Sequence, residues 1–437
     1  MTMDNPVDKR PSIASMVVFS LSAWHNQAAR IFNLDLIAFL IAILLPWTTS
    51  GVAILTVVWV IALVPSLGWR ALARFLMRPI CTLPIALCAL AAVGTLWSDA
   101  PWETRLYAVS PTLKLLMLPL LLYHYGRSSR GIWIFTGFLA SCVLLMTLSW
   151  IVAFNQGLAL KADATYGVPV KNYIDQSQEF ALCAVALAYP VITLLRARKI
   201  WLAAALAAVA LSFVVNMTFV AVSRTALVTM PVMLAVFALL HLKWRTSLAI
   251  FLLAAILAVL AWTTSPKLQQ TTEKFFSDYE YYKLQDEPTS IGIRLEFWKK
   301  SLRFFADAPS VGHGTGSTRG LFEQAASDHR IGKIFASAQV VGNPHNQTLN
   351  VAVQWGIVGV VILYGMWLFH LPLFRGEGLM AWIGLLVVVQ NIFTSLFNSH
   401  LFDFHEGWMY VMGVGIAGGT VLGAQRRAPA PESLAQP

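Results

Sequence analysis

The chain has 437 residues, of which 57% are hydrophobic and 12% charged, and its mean hydropathy is +0.66. An ordinary soluble domain is about 25% charged, so a conventional water-surrounded enzyme is excluded. At about 20 apolar residues per crossing, the apolar content suffices for roughly twelve spans, and the expected fold class is all-α, a polytopic membrane protein with one continuous bundle.

Apolar runs bounded by charges or turn residues fall at 33–49, 51–67, 79–97, 105–125, 131–154, 177–196, 200–221, 225–242, 246–264, 346–370, 378–398 and 407–424. Each is long enough for a membrane helix, or nearly so. A removable signal peptide is not expected, because the first 30 residues are polar and lack a short apolar stretch before a cleavage site. Cys81, Cys88, Cys142 and Cys183 all fall inside apolar runs without CxxC spacing, which suits packing residues.

The charges sort by side. Lys9, Arg10 and Arg30 precede the first span, Arg70, Arg74 and Arg78 follow the second, and Arg127 and Arg130 follow the fourth. Arg196, Arg198 and Lys199 follow the sixth, Lys243 and Arg245 the eighth, Arg375 the tenth, and Arg426 and Arg427 the last. Counting crossings puts all of these on the side of the N-terminus, and the positive-inside rule makes that side cytoplasmic. The net charge of +10 is thereby accounted for largely by topology, and no nucleic-acid partner is expected. The chain divides into spans one to nine (1–264), an outward loop (265–345), spans ten to twelve (346–424) and a disordered cytoplasmic tail (425–437). A second, shorter excursion, 155–176, faces the same way as the loop.

An 80-residue connection is too long to be a simple link, so the working parts are expected there. The stretch 266–306 reads as helix, with Arg294, Trp298, Leu302 and Phe305 on one stripe facing the membrane surface. His345, in Asn343-Pro344-His345-Asn346, opens the tenth span on the same face. Imidazole titrates nearest neutrality and suits proton removal from an attacking hydroxyl; an interfacial histidine satisfying backbone groups is the plainer alternative. Arg224, in Ser223-Arg224-Thr225, lies on that face too, where a guanidinium either snorkels to headgroups or clamps a diphosphate through its planar fork. Arg294 offers the same chemistry.

Lys114, near the middle of the fourth span, belongs either to an ion pair or to a hydrophilic cavity. Glu179 and Asp35 read as interfacial, and Asn216, Gln390 and Asn391 as interhelical hydrogen-bond partners. Gly312-His313-Gly314-Thr315-Gly316 superficially looks like a nucleotide loop, yet no strand precedes it and no Walker lysine follows, so neither ATP nor a dinucleotide is expected. No metal site is expected: His313 has no partner at ligand spacing, and Asp99 with Glu103 sits in a short connector.

Taken in order, Ser223-Arg224-Thr225, Arg294-Leu295-Glu296-Phe297-Trp298, Pro309 with Gly312, Gly314 and Gly316, and Pro344-His345-Asn346 with Gly356 and Gly359 resemble the O-antigen ligase and polymerase superfamily of bacterial envelope glycosyltransferases. Trp97-Ser98-Asp99 with Pro101 is similar to a further family segment. Within the superfamily, twelve spans and a large loop between spans nine and ten are most similar to the ligase branch. The resemblance implies transfer of O-antigen polysaccharide from undecaprenyl diphosphate to lipid A-core on the periplasmic side of a Gram-negative inner membrane, without cofactor, metal or ATP. It assigns the essential histidine to His345 and the essential arginines to Arg224 and Arg294. Lys114, Lys171, Arg319 and Asn346 are secondary candidates for substrate contact, and Trp298, Phe304 and Phe305 for the isoprenoid chain. A sister polymerase, a protein oligosaccharyltransferase and a lipid-linked glycan transporter remain as alternatives.

Overall fold

The structure is a computed structural model and describes residues 26–160, 166–285, 288–329 and 338–427. Among these residues it is all helical. Helices α1 (Gln27–Leu44) and α2 (Thr49–Leu63) form a hairpin, and the short α3 (Trp69–Leu76) leads into α4 (Pro79–Val93). The next crossing joins α5 (Trp102–Leu113) to α6 (Met117–Tyr125) through a 3₁₀ turn at Lys114–Leu116. It is followed by α7 (Gly131–Phe154), the pair α8 (Tyr173–Ala186) and α9 (Ala188–Arg196), then α10 (Ile200–Phe219), α11 (Arg224–His241) and α12 (Trp244–Thr264). The large excursion carries α13 (Pro266–Gln285), α14 (Ser290–Asp307) and α15 (Thr318–His329), before α16 (Gln347–His370), α17 (Leu379–Thr394) and α18 (Phe404–Arg427).

Among the described residues, eleven helical segments are long and apolar enough to cross a membrane. The eleventh of the twelve expected spans is the exception: α17 has 16 residues, about 24 Å at 1.5 Å per residue, against a hydrocarbon layer of about 30 Å. Its sides are enclosed by α18, α11 and α8, so protein rather than lipid surrounds it where it falls short of the hydrocarbon thickness. Helix α18 lies at the centre of the bundle, with 78% of its apolar window buried, whereas α12 has 6% and faces outward. Because α18 runs to Arg427, the disordered tail expected from 425 is corrected at its first three residues; 428–437 lie outside the described residues.

Local sequence explains the breaks. Pro111 removes a backbone donor inside the fourth span, and three residues later the helix passes through the 3₁₀ turn that carries Lys114. Asn172 caps α8, its side chain accepting from Ile174 N at 2.8 Å and Asp175 N at 3.0 Å. The expected single helix over 266–306 is two helices, α13 and α14. On α14 the buried face is Phe297, Ser301 and Phe304, packed with Phe322 and Val353, one register step from the expected stripe. Leu302, on the stripe expected to face the membrane surface, is 57% exposed.

Asp35 and Glu179 are buried rather than interfacial. Asp35 accepts from His124 at 2.8 Å, Ser128 at 2.8 Å and Arg130 at 3.3 Å, and Glu179 pairs with Lys171 at 3.4 Å, so both charges enter the bundle with partners. The interhelical amides are as expected: Asn216 donates to Ser149, Gln390 to Gln178, and Asn391 accepts from Trp367. All four cysteines are buried and free.

The glycine-rich turn crosses the bundle rather than standing open. Helix α16 breaks at Gly356 (φ 59°), and the freed Val353 and Gln354 carbonyls accept from His313 N and Gly314 N, each at 2.9 Å. Thr315 N donates to Gly94 O at 2.9 Å, which ties the turn to the end of α4. At Gly314 (φ 86°) a Cβ would stand 2.6 Å from the Ser98 backbone. Gly314→Ala is therefore expected to destabilise the fold by about 1–3 kcal/mol, from the left-handed backbone and the overlap together. Thermal unfolding in detergent measures this, and an unchanged midpoint would contradict the packing described.

Candidate functional site

Arg224, Arg294 and His345 all lie on the face of the bundle opposite the arginine-rich connections. Arg224 is the first residue of α11, and its guanidinium faces Asp278 of α13 at 3.4 Å and the Phe275 ring at 5.9 Å. Arg294, on the first turns of α14, is partly buried and has no ion-pair or hydrogen-bond partner among the described residues. Burial pushes its guanidinium below its ordinary value, the Tyr173 hydroxyl opposes this, and the Arg224 charge adds to it. The two cations thus stand within electrostatic reach of each other, and an unpaired guanidinium beside a second one is a setting that favours an anion.

His345 is one of two non-glycine residues with positive φ among those described (53°). Histidine tolerates this region better than most residues, and the position is held: Asn343 accepts from His345 N at 3.0 Å, and Ser399 donates to Asn343 at 2.7 Å. Asn346 then caps α16, accepting from Leu349 N at 3.0 Å. The start of α16 is bound to the connection after α17 by Gln347 N, which donates to Ser395 O at 2.9 Å, and by Leu401 N, which donates to the Gln347 side chain at 3.1 Å.

Those bonds fix the imidazole. The Asn398 amide donates through Nδ2 to Asp403 Oδ2 at 2.8 Å, which leaves its Oδ1 directed at His345 Nδ1, also at 2.8 Å. An amide oxygen only accepts, so Nδ1 carries the proton and Nε2 presents its lone pair. Phe297 stacks on the ring at 6.2 Å between centroids and 22° between planes. Burial holds His345 below its ordinary 6.5; the bond to Asn398 opposes that, and the Arg294 charge reinforces it. The neutral, proton-accepting form is therefore favoured at neutral pH.

Beside His345 opens a cavity of about 1430 Å³. Tyr107, Lys114, Arg319, Gln354 and Asp403 contribute polar groups to its wall, and Val57, Val60 and Leu120 apolar ones. Lys114, buried as the sequence suggested for a cavity or a paired cation, donates to Phe402 O at 3.0 Å and to Asp403 O, so it holds the loop that orients His345. Arg319 lines the same cavity, is largely exposed and pairs with Glu323 at 2.9 Å. The arginine pair lies outside this lining, while the charge of one member, Arg294, reaches His345 on the cavity wall.

The other candidates are placed differently. Lys171 is engaged with Leu45 O and Glu179 and does not line the cavity. Asn346 serves as a helix cap and donates to Leu396 O at 3.1 Å. Trp298 packs on the Phe297, Phe304 and Phe322 cluster, and Phe304 is buried, which removes it as a dock for an isoprenoid chain.

Sequence reasoning missed Asn398 and Asp403; the polar run from Asn398 to Glu406 in a short connector is the signal that was available. In that run His400, Asp403 and Glu406 offer ligand atoms within 4.8 Å of one another and form the one such group among the described residues. Burial lowers His400 to about 4 and raises Asp403 to about 6. The group is adjacent to the fixed ammonium of Lys114, which bonds the Asp403 carbonyl.

No curated protein matches the chain. Residues 215–364 match the family model described as O-Antigen ligase, a stretch that begins just before Arg224 and contains Arg294, the glycine-rich turn and His345. That stretch of the chain is similar to the O-antigen ligase family, and the match supports an O-antigen ligase-type superfamily relationship.

Proposed function

We propose that the protein is an O-antigen ligase, an inverting glycosyltransferase that moves polysaccharide from undecaprenyl diphosphate to a sugar hydroxyl of lipid A-core. The reaction takes place on the periplasmic face of a Gram-negative inner membrane. The observation that carries this reading is the tautomer of His345 set by Asn398, with Nε2 left as proton acceptor, the Arg294 charge within reach and a cavity of about 1430 Å³ lined by the same histidine.

In the proposed step the acceptor hydroxyl oxygen bonds to the anomeric carbon of the donor sugar, and the bond from that carbon to the diphosphate oxygen breaks. The electron pair leaves with the diphosphate, and His345 Nε2 takes the hydroxyl proton. Arg224 and Arg294 balance the negative charge that builds on the departing diphosphate, electrostatic work that needs no reorganisation if the groups are already in place. The leaving group supplies the driving force, so ATP has no role. Attack opposite the leaving group inverts the anomeric centre. Lys114 and Arg319, both on the cavity wall, suit the phosphates of the lipid A acceptor. The apolar side chains of the cavity wall suit its acyl chains.

The test is reconstitution in proteoliposomes with undecaprenyl diphosphate-linked glycan and lipid A-core. A gel shift of lipid A-core carrying glycan is expected. Glycan elongation on the carrier would assign a polymerase, and movement of donor across the bilayer without a covalent product would assign a transporter. Excess chelator should leave the reaction rate unchanged; loss of activity restored by magnesium or manganese would contradict the metal-free step and direct attention to His400, Asp403 and Glu406.

A further inference from the structure

On the opposite, arginine-rich face, a second cavity of about 250 Å³ lies where α1, the α2–α3 connection and the end of α6 meet. Arg30, Ser66, Gly68, Tyr123 and Arg127 contribute to its wall. Arg30 donates to Pro65 O at 2.9 Å and Arg127 to Ser66 O at 3.0 Å, so both guanidinium groups are anchored by backbone carbonyls of one turn. The Tyr123 hydroxyl, which accepts from Gly68 N at 3.3 Å, lies 3.4 Å from the same Arg127 nitrogen. Neither arginine has a carboxylate within ion-pair distance among the described residues; the nearby Asp35 is taken up by His124, Ser128 and Arg130. Within the wall, Arg30 Nε and Ser66 Oγ are enclosed and without a hydrogen-bond partner among those residues.

Two cations without counter-charge and two enclosed donors without acceptors, set around one small cavity, define what is missing: an anion with several oxygens. The surroundings define what carries it. The next element, α3, buries Leu72 and Phe75 and exposes Trp69, Arg70 and Arg74, the pattern of a helix lying in the headgroup layer. Ile31, Leu63 and Leu67 complete the cavity wall with apolar side chains.

We propose that this cavity binds the phosphate of an anionic phospholipid headgroup from the leaflet on the arginine-rich side. Arg30 and Arg127 clamp the phosphate, and the Ser66 hydroxyl donates to it. Basic pockets between helix ends on the cytoplasmic side commonly hold such headgroups. A free phosphate shares the charge but gains nothing from α3 or from the apolar wall, which is why the lipid is favoured.

Native mass spectrometry of the full-length protein tests this with dioleoylphosphatidylglycerol, dioleoylphosphatidylcholine and inorganic phosphate as probes. One phosphatidylglycerol should be retained in preference to phosphatidylcholine. The double variant Arg30→Gln, Arg127→Gln should weaken it about tenfold or more, while Arg70→Gln, Arg74→Gln, which removes exposed charge only, should leave it in place. Arg30→Lys keeps a cation and should recover part of the binding, which separates loss of the site from loss of the fold. Equal retention by wild type and the double variant would overturn the proposal, as would loss on Arg70→Gln, Arg74→Gln alone. Displacement of the lipid by millimolar inorganic phosphate would overturn the lipid source.

Discussion

His345→Ala should abolish glycan transfer, a loss of about 10²–10⁴-fold, while the purified variant still retains the lipid-linked donor. The reason is geometric. Among the described residues His345 is the one imidazole that lines the large cavity, and its Nδ1 is committed to Asn398 at 2.8 Å, which leaves its Nε2 as the proton acceptor there. In the proposed step the donor is held through its diphosphate by Arg224 and Arg294 and does not depend on that nitrogen. Single-turnover transfer and donor co-purification, measured on the same preparation, check both halves. Retained transfer removes the base assignment. Lost donor binding would mean that the ring positions substrate instead of accepting its proton. Asn398→Ala frees the ring without removing it and should fall between the two, with slower turnover and unchanged donor binding.

Arg294→Lys is expected to slow transfer by about 10- to 100-fold although the charge remains. Lysine keeps a point charge but lacks the planar fork that matches two phosphate oxygens. Arg224→Lys should cost less, because Arg224 already shares its fork with Asp278 at 3.4 Å and must exchange that partner for substrate. Arg294 has no such partner among the described residues. Steady-state rates at saturating donor separate the two variants. Near-normal turnover in Arg294→Lys would count against a bidentate clamp, and a larger loss at Arg224 would reverse the ranking argued from the ion pair.

Much of the fold was legible because a membrane imposes a length on every apolar run. The runs at 131–154 and 200–221 coincide with α7 and α10 to within a few residues. The face shared by Arg224, Arg294 and His345 followed from counting crossings. What was not legible depends on contacts between distant segments. Asn398 meets His345 across 53 positions, and Lys114 meets Asp403 across 289, so nothing in local spacing announces either. The face of α14 that packs on protein, with Phe297 and Phe304 against α16 and α15, lies one register step from the stripe read at the membrane surface and was not legible in local spacing. Helix α3 escaped notice because eight residues with a mixed polar face give no span-length signal. The glycine-rich turn was readable as something other than a nucleotide loop, but its role in bridging the break at Gly356 required the partner helix.

The loop between the last two helices holds an imidazole in one tautomer on the wall of a large cavity, with the Arg294 charge within reach. The central claim is that neutral His345 accepts the proton of the acceptor hydroxyl. A general base works only when unprotonated, and burial places His345 below 6.5, so activity should be full at neutral pH and fall only as the pH drops through that lowered value. Asp403 ionises near pH 6 in its own buried setting, and Asp403→Asn, whose amide oxygen still accepts from Asn398, keeps the two titrations apart. The most direct measurement is the pH dependence of single-turnover transfer by the wild type and Asp403→Asn in proteoliposomes. The account predicts an acid limb centred below 6.5 in both proteins. A limb centred at or above 6.5, or one that disappears in Asp403→Asn, would contradict it.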